Sequence, residues 1–194
     1  MLLNSITNLS NRILYLERVA MCTIAISLPI IILLNSTGRA LRSPIYWMDE
    51  LAILLMVWMA MIGMSLTLKT RDAVSVTMLT DALSPPLTKT IKVITDGLVL
   101  AFGVILLVLS YRWFDPVALF NANFDTRVFS GETFNFIYED TTNTLDVKKF
   151  WFWLIIPAVA LTTTIHALSN LLQTLTTPAS ILKNTSSIST TGAE

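Results

Sequence analysis

One cysteine, one histidine and only 13% charged side chains are the scarcities of this 194-residue chain. The lone cysteine, Cys22, lies inside an apolar run, which excludes an internal disulfide framework and most thiolate metal sites. The lone histidine, His166, excludes a bis-histidine haem within the chain. No Ser/His/Asp set or cysteine motif is evident, so neither a cofactor nor a catalytic centre is expected. Thirteen Lys and Arg balance thirteen Asp and Glu, leaving no basic excess for binding nucleic acid. A soluble domain carries about 25% charged residues. With 54% hydrophobic residues and a mean hydropathy of +0.67, this chain has lipid as its main solvent.

Four apolar runs are long enough to cross a bilayer, for which about 20 residues are needed. They cover residues 19–38, 51–68, 93–111 and 150–172. Pro29 and Pro157 fall inside the first and fourth runs, where membrane helices tolerate them. The first run is too long for a signal-peptide core and lacks a small-residue cleavage site, so it reads as a retained span. The expected fold is all-α: an integral membrane four-helix protein with an N-terminal amphipathic interfacial helix and a long loop between spans three and four, in one membrane domain over residues 1–178. A Ser/Thr-rich tail, 179–194, is expected to be disordered.

Ahead of the first run, Leu2, Ile6, Leu9, Ile13 and Leu16 recur at steps of four and three, the pattern of an amphipathic helix. Such a helix either lies in the lipid interface or extends span one into water. Ser84-Pro85-Pro86 marks a helix stop and turn between spans two and three. Residues 112–149 form a long acidic connection rich in phenylalanine, including Phe114, Phe120, Phe124, Phe129, Phe134 and Phe136. Loops beyond about 12–15 residues are uncommon, so this one is a lid on the headgroups or a contact surface. Counting Lys and Arg on the two sides favours cytoplasmic termini by one residue.

The densest polar cluster flanks the hairpin of spans one and two: Asn35, Arg39, Arg42, Asp49 and Glu50, with Pro44 and Trp47 between them. Asn35 and Arg39 are one helical turn apart and share a face. Trp47, Glu50, Leu54 and Trp58 fall on one stripe of span two. Arg39 and Glu50 are candidates for an ion pair pinning two helix ends, although charges and Trp also flank spans as a matter of course. His166, behind Thr162, Thr163 and Thr164, has no acidic residue close in sequence, so a backbone carbonyl or water is its expected partner. Asp96 has Lys92 one turn earlier as its expected partner. No ionisable residue is expected deep in a span, which argues against a coupling site for transport in this chain.

Asn35, Arg39, Pro44, Trp47 and Glu50 form an N-x3-R-x4-P-x2-W-x2-E arrangement. This resembles the small membrane subunit of tripartite ATP-independent periplasmic (TRAP) transporters, the DctQ-type family. The resemblance continues through Leu51, Trp58 and Gly63, through Arg71 to Val76 and Met78 to Leu83, and into Phe150 to Pro157. It departs in lacking a histidine near Ala73 or Val74 and in the length of the 112–149 connection.

The resemblance implies a non-catalytic, multi-pass subunit of the bacterial inner membrane, and the Lys and Arg count favours both termini in the cytoplasm. It implies two protein partners besides membrane lipid: a large multi-span subunit that carries the transport sites, and a periplasmic substrate-binding protein. It further implies sodium-driven uptake of an organic acid or related solute. Asn35, Arg39, Trp47, Asp49, Glu50 and Trp58 are then expected at structural contacts, and Asp125, Glu132 and Glu139 in docking the binding protein. The alternatives are a self-sufficient homo-oligomeric four-span transporter and the membrane anchor of a larger enzyme.

Overall fold

The first three apolar runs become helices that outlast the runs themselves, and the fourth becomes two. The computed structural model describes residues 2–71 and 83–182. Helix α1 spans Leu2–Ala40, α2 Tyr46–Thr70 and α3 Pro85–Phe114. Two short helices follow, α4 over Pro116–Asn121 and α5 over Thr126–Thr133, then α6 over Phe150–Trp153 and α7 over Ile155–Thr176. Four segments are long and apolar enough to cross a membrane: Asn4–Ala40, Tyr46–Thr70, Pro85–Asn121 and Phe150–Thr176. The all-α, four-span architecture expected from the sequence is therefore present. The family-like stretch from Asp72 to Ala82, and all of the expected disordered tail beyond residue 182, lie outside the described residues.

Local sequence sets the ends of these helices. Helix α1 closes in a Schellman motif: Arg42 takes the left-handed conformation (φ 59°), its N–H reaches the Arg39 carbonyl, and the Ser43 N–H reaches that of Gly38. A Cβ on Gly38 would stand 2.9 Å from the Ser43 oxygen, so the tight turn needs glycine there. Pro44 then prevents the helix from continuing. Ser84 precedes α3, with Pro85 and Pro86 in its first turn, where a missing N–H costs nothing. The fourth span is broken between α6 and α7 at Leu154. Pro157 explains the break, because its ring conflicts with the carbonyl four residues earlier, that of Trp153.

Helix α7 is the centre of the bundle, packing against α1, α2 and, most extensively, α3. On α1 the inward positions are Thr7, Ser10, Leu14, Glu17, Met21, Ile24, Leu28, Ile31 and Asn35, alternating steps of three and four. That heptad spacing is the seam of left-handed helix packing. The seam starts well before residue 19, and α1 runs without a break from Leu2. The amphipathic stretch thus extends span one, with Leu9 and Leu16 exposed and the polar Ser10 and Glu17 facing the bundle. The interior divides by polarity. Ile24, Leu28, Ala52, Ile62, Ile155 and Val159 form an apolar core toward the α1–α2 turn. Ser65, His166, Ser169, Asn170 and Thr174 line the half toward the ends of the chain.

Candidate functional site

The α1–α2 turn brings the motif residues together as pairs the spacing alone left open. Asn35 Nδ2 donates to Asp49 Oδ1, and the Arg39 guanidinium donates to Asp49 Oδ2. Asn35 is buried, whereas Arg39 and Asp49 are about half exposed, with side-chain exposures of 59% and 48%. Asn35 and Arg39 do share a face, but their partner is Asp49. The expected Arg39–Glu50 pair is not formed, because successive residues on α2 point in different directions and Asp49 takes the side facing α1.

Glu50 turns instead to the long connection. Its carboxylate accepts from the Asn143 N–H at 2.8 Å, the Thr144 N–H at 2.7 Å, the Thr144 hydroxyl at 2.6 Å and the Leu145 N–H at 3.3 Å. Three consecutive amides aimed at one anion form a nest. Residues 140–149 present this nest at the tip of a small hairpin closed by Thr142 to Val147 and Lys149 to Asp140 backbone bonds. Eight residues further along the same stripe, Trp58 Nε1 donates to the Phe152 carbonyl at 2.9 Å, at the α6–α7 break. Glu50 and Trp58 therefore both tie α2 to the segment entering span four. Trp47 is exposed on the first turn of α2 and joins neither contact.

Residues 115–149 fold as a lobe around an aromatic core. Phe114, Ala122, Phe129, Ile137 and Tyr138 are buried together, with Phe150 and Trp153 against them. Tyr138 stacks edge-on with Phe114 and Phe129, and its hydroxyl donates to the Phe114 carbonyl at 2.6 Å. Burial, with the Asp115 carboxylate as a smaller influence, pushes the Tyr138 phenol above its ordinary pKa, which keeps that donor proton in place. Asp125 caps α5 by accepting from the Arg127 and Val128 N–H groups. Glu139 accepts from the Ser130 hydroxyl at 2.9 Å, while Glu132 is exposed. Two of the three acidic residues expected at a docking surface thus also hold the lobe's own structure. Phe120, Phe124, Phe134 and Phe136 are exposed.

Sequence reasoning missed a second polar centre. His166 Nδ1 lies 2.7 Å from Ser10 Oγ, and His166 Nε2 lies 3.2 Å from Glu17 Oε2. Ser65 Oγ donates to Glu17 Oε1 at 2.7 Å and lies 3.1 Å from Thr162 Oγ1. The expectation of a carbonyl or water partner for His166 is corrected: the acid is distant in sequence, on α1. Glu17 lies within the first span-capable helix, Asn4–Ala40, although outside the expected span of residues 19–38. Thr7 meets Gln173 at one end of the seam and Asn35 meets Asp49 at the other. The signal available in the sequence was the seven-residue step from Ser10 to Glu17 to Ile24.

Asp96, too, has a different partner from the one its spacing suggested. Arg71 donates to it at 2.8 Å, to the Asn170 carbonyl and to Thr174 Oγ1, while Lys92 donates to the Leu182 carbonyl.

Four long apolar helices, an interior laced with hydrogen-bonded side chains and a folded lobe on one face define a helical integral membrane protein. Helices joined in this manner through buried polar groups are typical of membrane bundles. Residues 28–177 match the family described as tripartite ATP-independent periplasmic transporters, DctQ component, and the chain belongs to that family. It is a component of a TRAP transporter, as the sequence resemblance implied. No curated protein matches the chain.

Proposed function

We propose that this chain is the small subunit that braces the large multi-span subunit of a TRAP transporter and docks the periplasmic substrate-binding protein through its lobe. The system carries out sodium-driven uptake of an organic acid or related solute across the bacterial inner membrane. Both termini lie in the cytoplasm and the lobe in the periplasm. The observation that carries this reading is the lobe itself. It is latched to the membrane helices by Glu50 and sealed by its own aromatic core, and it still exposes Phe120, Phe124, Phe134 and Phe136 beside acidic side chains. Aromatic anchors within a polar rim are the anatomy of a docking surface.

Two measurements test it. Gly131 on α5 has open space where a side chain would stand, and Cys22 is the chain's native thiol. With Cys22 replaced by Ala, a cysteine at Gly131 should react with a membrane-impermeant reagent from the periplasmic side. Reaction only from the cytoplasmic side overturns the orientation. The combination Asp125→Asn, Glu132→Gln and Glu139→Gln removes charge yet keeps an oxygen at each acceptor position. In the reconstituted complex it should raise the binding-protein concentration needed for half-maximal uptake. An unchanged concentration removes the acidic residues from docking.

A further inference from the structure

We infer that Ser10, Glu17, His166 and Ser65 form a proton-binding site inside the helix bundle. Three helices contribute: α1 brackets the imidazole with Ser10 and Glu17, α7 supplies the ring, and α2 fixes the carboxylate through Ser65. His166, Ser10 and Ser65 are fully buried and Glu17 is 8% exposed. An ionisable pair buried between two span-capable helices is costly to keep and marks function more often than packing.

The chemistry of the partners fits one exchangeable proton. In the empty state the neutral ring donates Nε2–H to Glu17 and accepts the Ser10 O–H at Nδ1, so the pair carries a charge of about −1. In the filled state a proton from water sits on Nδ1 and is donated to Ser10 Oγ, giving an imidazolium–carboxylate pair of no net charge. A serine hydroxyl donates or accepts with equal ease, so both states are fully hydrogen-bonded without movement of a heavy atom. The surrounding charges allow either state. From α1 only Glu17 faces the ring. From α2, Lys69 lies one turn beyond Ser65 and donates to Ser169, offsetting the charge of the empty state. The nearest charge on α3, Asp96, is engaged with Arg71 and Thr174 two turns further along α7.

Ser169, Gln173 and Thr7 continue the polar file from His166 toward the chain's ends, with Lys69 beside it. In the opposite direction the apolar core of Ile24, Leu28, Ala52, Ile62, Ile155 and Val159 closes the bundle. The site therefore binds a proton and does not conduct one. Its protonation sets the charge of the α1–α2–α7 seam.

His166 is the only histidine, so its ring can be read without assignment. The full chain, carrying a tag without histidine and ¹⁵N-labelled imidazole, is placed in liposomes and followed by NMR. The ring nitrogens should move reversibly between neutral and imidazolium positions as the pH is changed while the chain stays folded. Glu17→Gln should displace this transition, and Ser10→Ala should alter the Nδ1 resonance specifically. A ring that keeps one protonation state throughout overturns the site, and the native chain supplies that reading.

Discussion

Asp49 answers Asn35 with one carboxylate oxygen and Arg39 with the other, and the two contacts differ in energy. The Arg39 pair is half exposed, and pairs of that kind contribute about 0–1 kcal/mol. Asn35 is buried, and its Oδ1 already has no partner among the described residues, so Asp49 supplies the amide's one side-chain bond. Asp49→Ala should therefore destabilise the purified chain by about 1–3 kcal/mol, the cost of an orphaned buried polar group. Arg39→Ala should cost less than about 1 kcal/mol. Denaturation in detergent ranks the two, and equal losses would show that the ion pair carries the turn. The sequence placed this cluster correctly because Asn35 and Arg39 are one turn apart on a single helix. It could not choose between Asp49 and Glu50, since adjacent acids differ only in rotation about α2, which is set by what α2 packs against. Glu17 and His166 were harder still: 149 residues separate them, and only the seam of α1 on α7 makes them neighbours.

At the scale of the helices, the apolar runs located every span, because burying the backbone in lipid demands long uninterrupted helices. The ends were less legible. Charge marked where each run entered the headgroups, whereas α1 continues to Leu2 because its inward seam remains occupied there by Ser10 and Thr7. The packing of α3 on α7 was not readable at all. It depends on Gly103, where a Cβ would stand 2.8 Å from Thr164 Oγ1 and 3.3 Å from its backbone. Gly97, two turns away, has open space around it. Gly103→Ala should thus cost about 1–3 kcal/mol through overpacking. Gly97→Ala should be neutral or stabilising by up to about 1 kcal/mol through helix propensity. Thermal unfolding of the two variants, side by side, checks the assignment of this contact, and a neutral Gly103→Ala would mean that the helices yield.

For the whole molecule, the lobe is where folding and partner contact must be separated. Its phenylalanines divide into two sets that composition could not distinguish. Phe129 is 1% exposed inside the aromatic core, while Phe134 is 83% exposed and Phe120 is 67% exposed. Removing a buried phenylalanine costs about 3–5 kcal/mol, which a lobe of this size cannot absorb. Phe129→Ala should consequently lower the yield of assembled complex and loosen the Glu50 latch, read as faster amide exchange at Asn143, Thr144 and Leu145. Phe134→Ser and Phe136→Ser delete exposed rings that make no aromatic contact among the described residues of the lobe. They should leave melting temperature and complex yield unchanged. If these rings anchor the substrate-binding protein, the double variant should raise the half-saturating concentration of that protein by at least about tenfold, ~1.4 kcal/mol, as loss of aromatic anchors does elsewhere. Maximal uptake at saturating binding protein should stay the same, because under the proposed function the rings act in docking alone. A double variant that assembles normally and keeps the native half-saturating concentration removes the exposed phenylalanines from docking. A variant that fails to assemble places them against the large subunit instead.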